Sequence, residues 1–191
     1  MRITGGGARG IPLRVPKGDA VRPAMDRLRQ AVFSSLGARV DGARFVDLFA
    51  GTGAYGLEAW SRGATGGTFV EQGREPLDCL RANLAAVAKS LGADPIACIV
   101  SKADALAWAP AAGARAGLVF VDPPYALIDP QAPRLFAQFD RLLLPGPEGL
   151  VIFEMPGDLQ LDALGWECVK RLGGGGSREA SACFFRRTAA G

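Results

Sequence analysis

An apolar run that ends in a glycine turn and continues into a helix-forming stretch is the feature that most narrows what this chain can become. Phe45-Val46-Asp47-Leu48-Phe49 reads as a buried strand, Gly51-Thr52-Gly53 as a tight loop, and Ala54 to about Arg62 as a helix. The alternation then repeats: a strand over Thr68–Glu71, a helix over 75–90, a strand over Ile96–Val100, a short helical turn over Ala103–Trp108, a strand over Leu118–Val121, a helix over 133–144 and a strand over Leu150–Glu154. Strands separated by helices pair in parallel, because each helix returns the chain to the same end of the sheet. This predicts an α/β fold around a largely parallel sheet, with ligands at the carboxyl ends of the strands near the switch point. The two ends of the chain read differently. Glu167–Leu172 and Ala182–Arg186 flank Gly173-Gly174-Gly175-Gly176, which predicts a closing antiparallel hairpin. Residues 1–18, with Gly5-Gly6-Gly7, Gly10, Pro12 and Pro16, predict a small hairpin or extended arm outside the core, followed by a helix from Pro23 that Gly37 can end.

Composition removes whole chemistries. The 191 residues include no histidine, so Ser-His-Asp and Cys-His nucleophiles, HExxH zinc sites and an imidazole base are all excluded. Cys79, Cys98, Cys168 and Cys183 form no CxxC pair, which argues against a zinc cluster. Met1-Arg2 is followed by no apolar stretch, and no run approaches the roughly 18 apolar residues of a membrane helix. A single-domain cytoplasmic protein with reduced thiols is therefore expected. Net charge is only +3, but it is unevenly placed. Residues 1–30 carry Arg2, Arg9, Arg14, Lys17, Arg22, Arg27 and Arg29 against Asp19 and Asp26, a local excess of five, and the remainder of the chain sums to −2. A basic segment on a near-neutral body suggests a polyanionic partner, though a solvated basic tail has the same composition.

Gly51-Thr52-Gly53-Ala54-Tyr55-Gly56 is a GxGxxG pattern between a strand and a helix, and Glu71 lies twenty residues beyond Gly51 at the end of the next strand. Such a loop lets backbone approach a ligand, and such an acid accepts ribose hydroxyls. It suits NAD, S-adenosylmethionine or a structural turn. Asp47 shifts the balance: a carboxylate four residues before Gly51 would repel a pyrophosphate but favours the cationic ammonium and sulfonium of S-adenosylmethionine. It could equally accept N–H bonds within the loop. Asp104, after the third strand, could cap a helical turn or, through its carboxylate or the adjacent backbone, meet an adenine amine.

Asp122-Pro123-Pro124-Tyr125 follows a four-residue apolar strand. Two prolines fix the backbone and remove two N–H donors, which leaves the Asp122 carboxylate and the Pro123 carbonyl as rigid acceptors beside an aromatic face. That arrangement suits a flat base with an exocyclic amine. Two acceptors hold the amine's hydrogens and free its lone pair for in-line attack on a methyl group, while Tyr125 stacks on the ring. No metal or histidine is required.

Asp47 to Gly53, with Glu71, Asp104 and Asp122 to Tyr125, resembles the class I S-adenosylmethionine-dependent amino-methyltransferases, and more narrowly the RsmD family, which methylates a guanine N2 amine in small-subunit 16S rRNA. The narrower likeness is carried by Met1-Arg2-Ile3 with Arg9-Gly10 and Leu13-x-Val15-Pro16, by Arg22-Pro23-x-x-Asp26-Arg27 with Arg29 and Phe33, by Gly56-Leu57-Glu58-Ala59-x-Ser61-Arg62-Gly63-Ala64 and by Val119-Phe120-Val121 before Asp122. The resemblance implies a Rossmann-like fold: a seven-stranded, mostly parallel sheet with an antiparallel C-terminal hairpin, a basic N-terminal β-hairpin arm over 1–22 and a methyltransferase domain over 23–191. It implies that Asp47, Phe49, Gly51, Gly53, Glu71 and Asp104 bind S-adenosylmethionine, whose product is S-adenosylhomocysteine. It further implies that Asp122, Pro123, Pro124 and Tyr125 hold the target base, and that Arg2, Arg9, Arg14, Arg22, Arg27 and Arg29 contact RNA. The implied partner is small-subunit rRNA, within the 30S subunit or an assembly intermediate, for a monomer that uses no metal and no membrane. Ala24-Met25 and Gln72-Gly73 depart from the family's usual polar residues, and the Gly173–Gly176 run suggests a loose turn. Other amino-methyltransferases, acting on DNA adenine or cytosine or on another RNA base, share the Asp-Pro-Pro-Tyr logic. A non-catalytic RNA-binding assembly factor could retain the fold.

Overall fold

In the computed structural model the described residues are 1–16, 23–111, 114–146 and 148–188, without the side chains of Pro23 and Ala24. Helix α1 (Pro23–Leu36) precedes strand β1 (Arg44–Leu48). There follow α2 (Ala54–Ser61), β2 (Gly66–Glu71), α3 (Arg74–Leu91), β3 (Cys98–Lys102), β4 (Leu118–Val121), α4 (Tyr125–Leu142), β5 (Leu150–Pro156), β6 (Trp166–Gly173) and β7 (Ala180–Arg187). The seven strands form one sheet in the order β3-β2-β1-β4-β5-β7-β6. β1 to β5 pair in parallel, and β7 runs antiparallel to both β5 and β6. This is the expected α/β architecture with its closing hairpin. The order reverses at β1, between β2 and β4, so a crevice opens where their carboxyl ends diverge.

The strands are apolar on both faces because helices cover both. Phe45, Leu118, Phe120, Ile152 and Phe184 share one core with Val32, Phe33 and Leu36 of α1, Leu57 and Trp60 of α2, and Leu80 of α3. Val46, Leu48, Val119, Val121, Val151, Phe153 and Phe185 share the other with Ile128, Leu135, Phe136 and Phe139 of α4. Each such side chain contributes about 1.5–3 kcal/mol relative to exposure. Against this background the buried polar residues Asp47 and Glu154, both within strands, stand out.

Four expectations are corrected. The N-terminal hairpin is present, with Ile3 N–H donating to the Ile11 carbonyl at 3.0 Å and Leu13 N–H to that of Met1 at 3.1 Å. It is not outside the core, since Ile3, Ala8 and Leu13 are buried in the α1–α3 core. Glycine and arginine dominate its composition and hide those three anchors. β3 begins two residues late, because Asp94 Oδ1 accepts the Ile96 N–H at 2.9 Å and holds Pro95–Ala97 in a 3₁₀ turn. α4 begins at Tyr125, eight residues before the expected start, and runs through Pro130 and Pro133. Neither proline can donate to the helix, but the apolar face packed on the sheet outweighs the two lost bonds. The glycine-rich turn is held rather than loose: Glu179 Oε2 accepts the N–H groups of Gly175 at 3.1 Å and Gly176 at 3.0 Å, and Gly157 N–H reaches the Glu179 carbonyl at 2.9 Å. No helix among the described residues is long and apolar enough to cross a membrane.

Candidate functional site

The carboxyl ends of β1, β2, β4 and β5 open into a cavity of about 1050 Å³. Asp47, Phe49, Gly51, Glu71, Asp122, Pro123, Pro124 and Tyr125 all line it. Residues separated by up to 78 positions in the chain meet here because parallel strands end on the same side.

The glycine loop is built by backbone geometry. Phe49 adopts φ +55°, uncommon for a side chain of its size, and turns the chain off β1. Gly53 (φ +83°) caps α2, and a Cβ there would lie 2.3 Å from Leu80 Cδ1. Gly53 therefore underlies the loop and does not line the cavity; Gly51 and Thr52 present the backbone that does. Glu71 locks this arrangement, accepting the Gly51 N–H at 2.8 Å through Oε2 and the Gly73 N–H at 2.6 Å through Oε1. Each oxygen retains a further lone pair for a ligand hydroxyl.

Asp47 is 2% exposed, and its Oδ2 accepts the Gly56 N–H at 2.9 Å. Its burial raises its pKa to about 8; the Gly56 N–H pulls against that rise and the Glu71 charge adds to it. In an unfolded chain the same group titrates near 3.9. The native state thus holds the proton more tightly, so this contribution to stability is fully present below about pH 4 and is lost as pH rises towards 8. Urea titrations of the free protein at pH 5 and pH 8 should show the wild type losing stability relative to Asp47→Asn. Parallel behaviour of the two proteins would contradict this reading of Asp47.

Asp104 is exposed and outside the cavity; its Oδ1 accepts the Leu106 N–H at 3.0 Å. The adjacent Ala103 and Ala105 line the cavity instead, and residues 104–108 form a hydrogen-bonded turn. The residues on either side of Asp104, not Asp104 itself, face the site.

On the far wall, burial pushes the Asp122 carboxyl well above the usual carboxylate range, with the charges of Glu154 and Asp47 adding to the effect. Tyr55 and Glu154, quoted in the sequence only as members of the glycine loop and of a strand and not as site residues, stand beside it. Tyr55 donates its hydroxyl to Glu154 Oε2 at 2.7 Å, and its ring stacks on Phe120 at 5.5 Å. The glycine-rich hairpin supplies a further wall, with Gly173, Gly174, Arg178, Glu179 and Ala180 lining the cavity. A charged residue inside an otherwise apolar strand, Glu154 in β5, was the available signal for the Tyr55–Glu154 pair. Nothing local signals the hairpin wall.

The basic residues divide. Arg2, Arg9 and Arg27 are exposed and line a second groove of about 350 Å³. Arg27 also borders the main cavity. Arg14 is exposed, with its backbone clamped by Asn83 at 2.7 and 3.0 Å. Arg22 lies outside the described residues. Arg29 corrects the expectation of an RNA contact: it is 2% exposed, and its guanidinium is committed to the Arg2 carbonyl at 2.6 Å, Asp26 at 2.8 Å and Glu58 at 3.5 Å. A cation so enclosed has no surface to offer a phosphate. Among the described residues, no group of three or more acidic or cysteine side chains is placed to hold a metal ion.

A family profile described as "Conserved hypothetical protein 95" matches residues 1–178. The chain is similar to the ribosomal RNA small subunit methyltransferase D of Escherichia coli, 39% identical over 125 residues, which are 65% of this chain and 60% of that protein. The match thus spans less than two thirds of that relative's length. A putative rRNA methyltransferase of Bacillus subtilis, YlbH, is 29% identical over 163 residues, 84% of this chain and 85% of that protein. Among solved structures, a putative methyltransferase of Escherichia coli, yhhF, has a TM-score of 0.79 at 31% identity, covering 100% of this chain and 99% of that one.

Proposed function

The chain belongs to the conserved hypothetical protein 95, or RsmD, family of methyltransferases, and on that premise we propose that it methylates the N2 amine of a guanine in small-subunit ribosomal RNA, with S-adenosylmethionine as donor. The observation that carries this reading is one cavity that joins the Gly51-Thr52 backbone and Glu71 to the rigid acceptors Asp122 and Pro123. Its donor side fits a ligand with cationic groups and ribose hydroxyls: Glu71 is acidic, Asp47 holds its proton up to about pH 8 in the free protein and would ionise beside a bound cation, and no basic side chain lies between residues 47 and 55.

S-adenosylmethionine, when bound, supplies a methyl group on a positively charged sulfur that leaves as a neutral thioether. The protein's part is to place the acceptor. Asp122 and the Pro123 carbonyl accept the two amine hydrogens, so the nitrogen lone pair points away from them and at the methyl carbon. Tyr125, 40% exposed at the cavity, offers a ring on which the base stacks. The new N–C bond forms as the C–S bond breaks, and the amine's surplus proton passes to Asp122 or to water. Arg2, Arg9, Arg14 and Arg27 form the surface for RNA phosphates. Arg178, exposed on the hairpin side of the same cavity, extends it.

Two measurements test the reading. Calorimetry should show S-adenosylmethionine binding and no NADH binding; the reverse would contradict the choice of donor. Arg9→Glu combined with Arg14→Glu should weaken RNA binding and flatten its dependence on log salt by about one unit per lost phosphate contact. The melting temperature should change little, since both side chains are exposed. An unchanged RNA affinity in low salt would remove the hairpin from the RNA surface.

A further inference from the structure

Glu154 is a buried carboxylate for which methyl transfer itself has no need. The paired register of β4 and β5 ends at Val121 opposite Phe153, so Asp122 and Glu154 are the next residues along on neighbouring strands, which lie about 4.8 Å apart. Both line the cavity that holds Pro123, Pro124 and Tyr125. Glu154 is 5% exposed, and its orientation is fixed through Oε2 by the Tyr55 hydroxyl at 2.7 Å. Tyr55 is itself held by its stack on Phe120, at 5.5 Å between ring centroids and 22° between planes. Burial raises the Glu154 carboxyl, while the Tyr55 hydroxyl and the Arg29 guanidinium pull it back towards the ionised form.

We infer that Glu154 is a specificity-determining residue: together with Asp122 it presents two adjacent acceptors, and so selects a base whose edge carries a ring N–H beside the exocyclic amine. Guanine has that edge, with N1–H next to the N2 amine. Adenine and cytosine place a ring-nitrogen acceptor next to their amines. A fixed carboxylate there would set lone pair against lone pair, and their binding would leave a buried acceptor unmatched. Asp122 and the Pro123 carbonyl suffice to hold any exocyclic amine. The additional carboxylate gives the site its preference among bases.

This inference rests on the methyl-transfer reading, and the test separates the two. The probe is small-subunit rRNA carrying either guanine or 2-aminopurine at the methylated position. 2-Aminopurine keeps the amine but replaces the N1–H with an acceptor. Wild type should favour guanine by about 100-fold or more in kcat/KM, as sites built around a hydrogen bond do. Glu154→Gln can turn its amide N–H towards the ring nitrogen, so the preference should fall to within about tenfold, with S-adenosylmethionine affinity and melting temperature close to wild type. The missing O6 of 2-aminopurine affects both proteins alike and cancels in the comparison. Equal rates on the two RNAs with wild type, or an undiminished preference in the variant, would overturn the assignment of Glu154. Failure of wild type to methylate the guanine RNA would overturn the methyl-transfer reading as well.

Discussion

Asp122→Ala is expected to lower methyl transfer by about 10³-fold while S-adenosylmethionine binding survives, because groups that act on developing charge at the reacting atom commonly contribute 10²–10³ each. The reasoning is geometric. Asp122 lies at the end of β4, on the opposite side of the switch point from Glu71, and shares its wall with Pro123 and Pro124. The proposed donor contacts are made by the Gly51-Thr52 loop and Glu71, whose hydrogen bonds run to Gly51 and Gly73 and not to Asp122. The variant should therefore keep the donor pocket and lose one of the two acceptors that orient the amine. Asp122→Asn, which keeps an acceptor oxygen in place, should be impaired much less. Single-turnover transfer and calorimetry together check both statements. A variant that no longer binds S-adenosylmethionine would show Asp122 to be part of the donor pocket.

The largest expected effect on stability is at Glu58. This residue of α2 is fully buried and joins the N-terminal hairpin to the body. Oε2 accepts the Thr4 N–H at 2.8 Å, and Oε1 accepts the Thr4 hydroxyl and Arg62 Nε, both at 2.7 Å. Arg29, also buried, forms an ion pair with Oε2 through its Nε at 3.5 Å, and that Nε makes no hydrogen bond among the described residues. Removing the carboxylate leaves the buried Arg29 guanidinium with Asp26 as its one carboxylate partner and strips the Thr4 N–H and hydroxyl of the acceptor they share. Glu58→Ala should cost about 3–5 kcal/mol, the usual penalty for breaking a buried ion pair from one side. Glu58→Gln should fall in between, because the amide oxygen still accepts one bond. Urea unfolding measures this, and a loss below about 1 kcal/mol would show that the hairpin contributes little to the fold.

How much of this was legible in the sequence follows from where each determinant lies. β1, β2, β4 and β5 are apolar runs bounded by turn residues, so local pattern suffices. Parallel order then brings Asp47, Glu71 and Asp122 together, since each sits at or near the end of its strand. Glu154 was hidden by distance: its partner Tyr55 is 99 residues away. The hairpin's place on the cavity wall depends on the β5–β7 pairing, which nothing in the glycine run announces. Arg29 looks like its basic neighbours in sequence, but it lies on the inward face of α1 with Leu28, Val32 and Phe33. Charge counting alone cannot separate a buried counter-ion from a phosphate contact.

The central claim is tested most directly by incubating the protein with labelled S-adenosylmethionine and small ribosomal subunits from cells that lack its gene, then digesting the rRNA to nucleosides. Label in N2-methylguanosine, at a single position, is the predicted result. Label in another nucleoside, or S-adenosylmethionine binding with no transfer to rRNA in any form, would contradict the account.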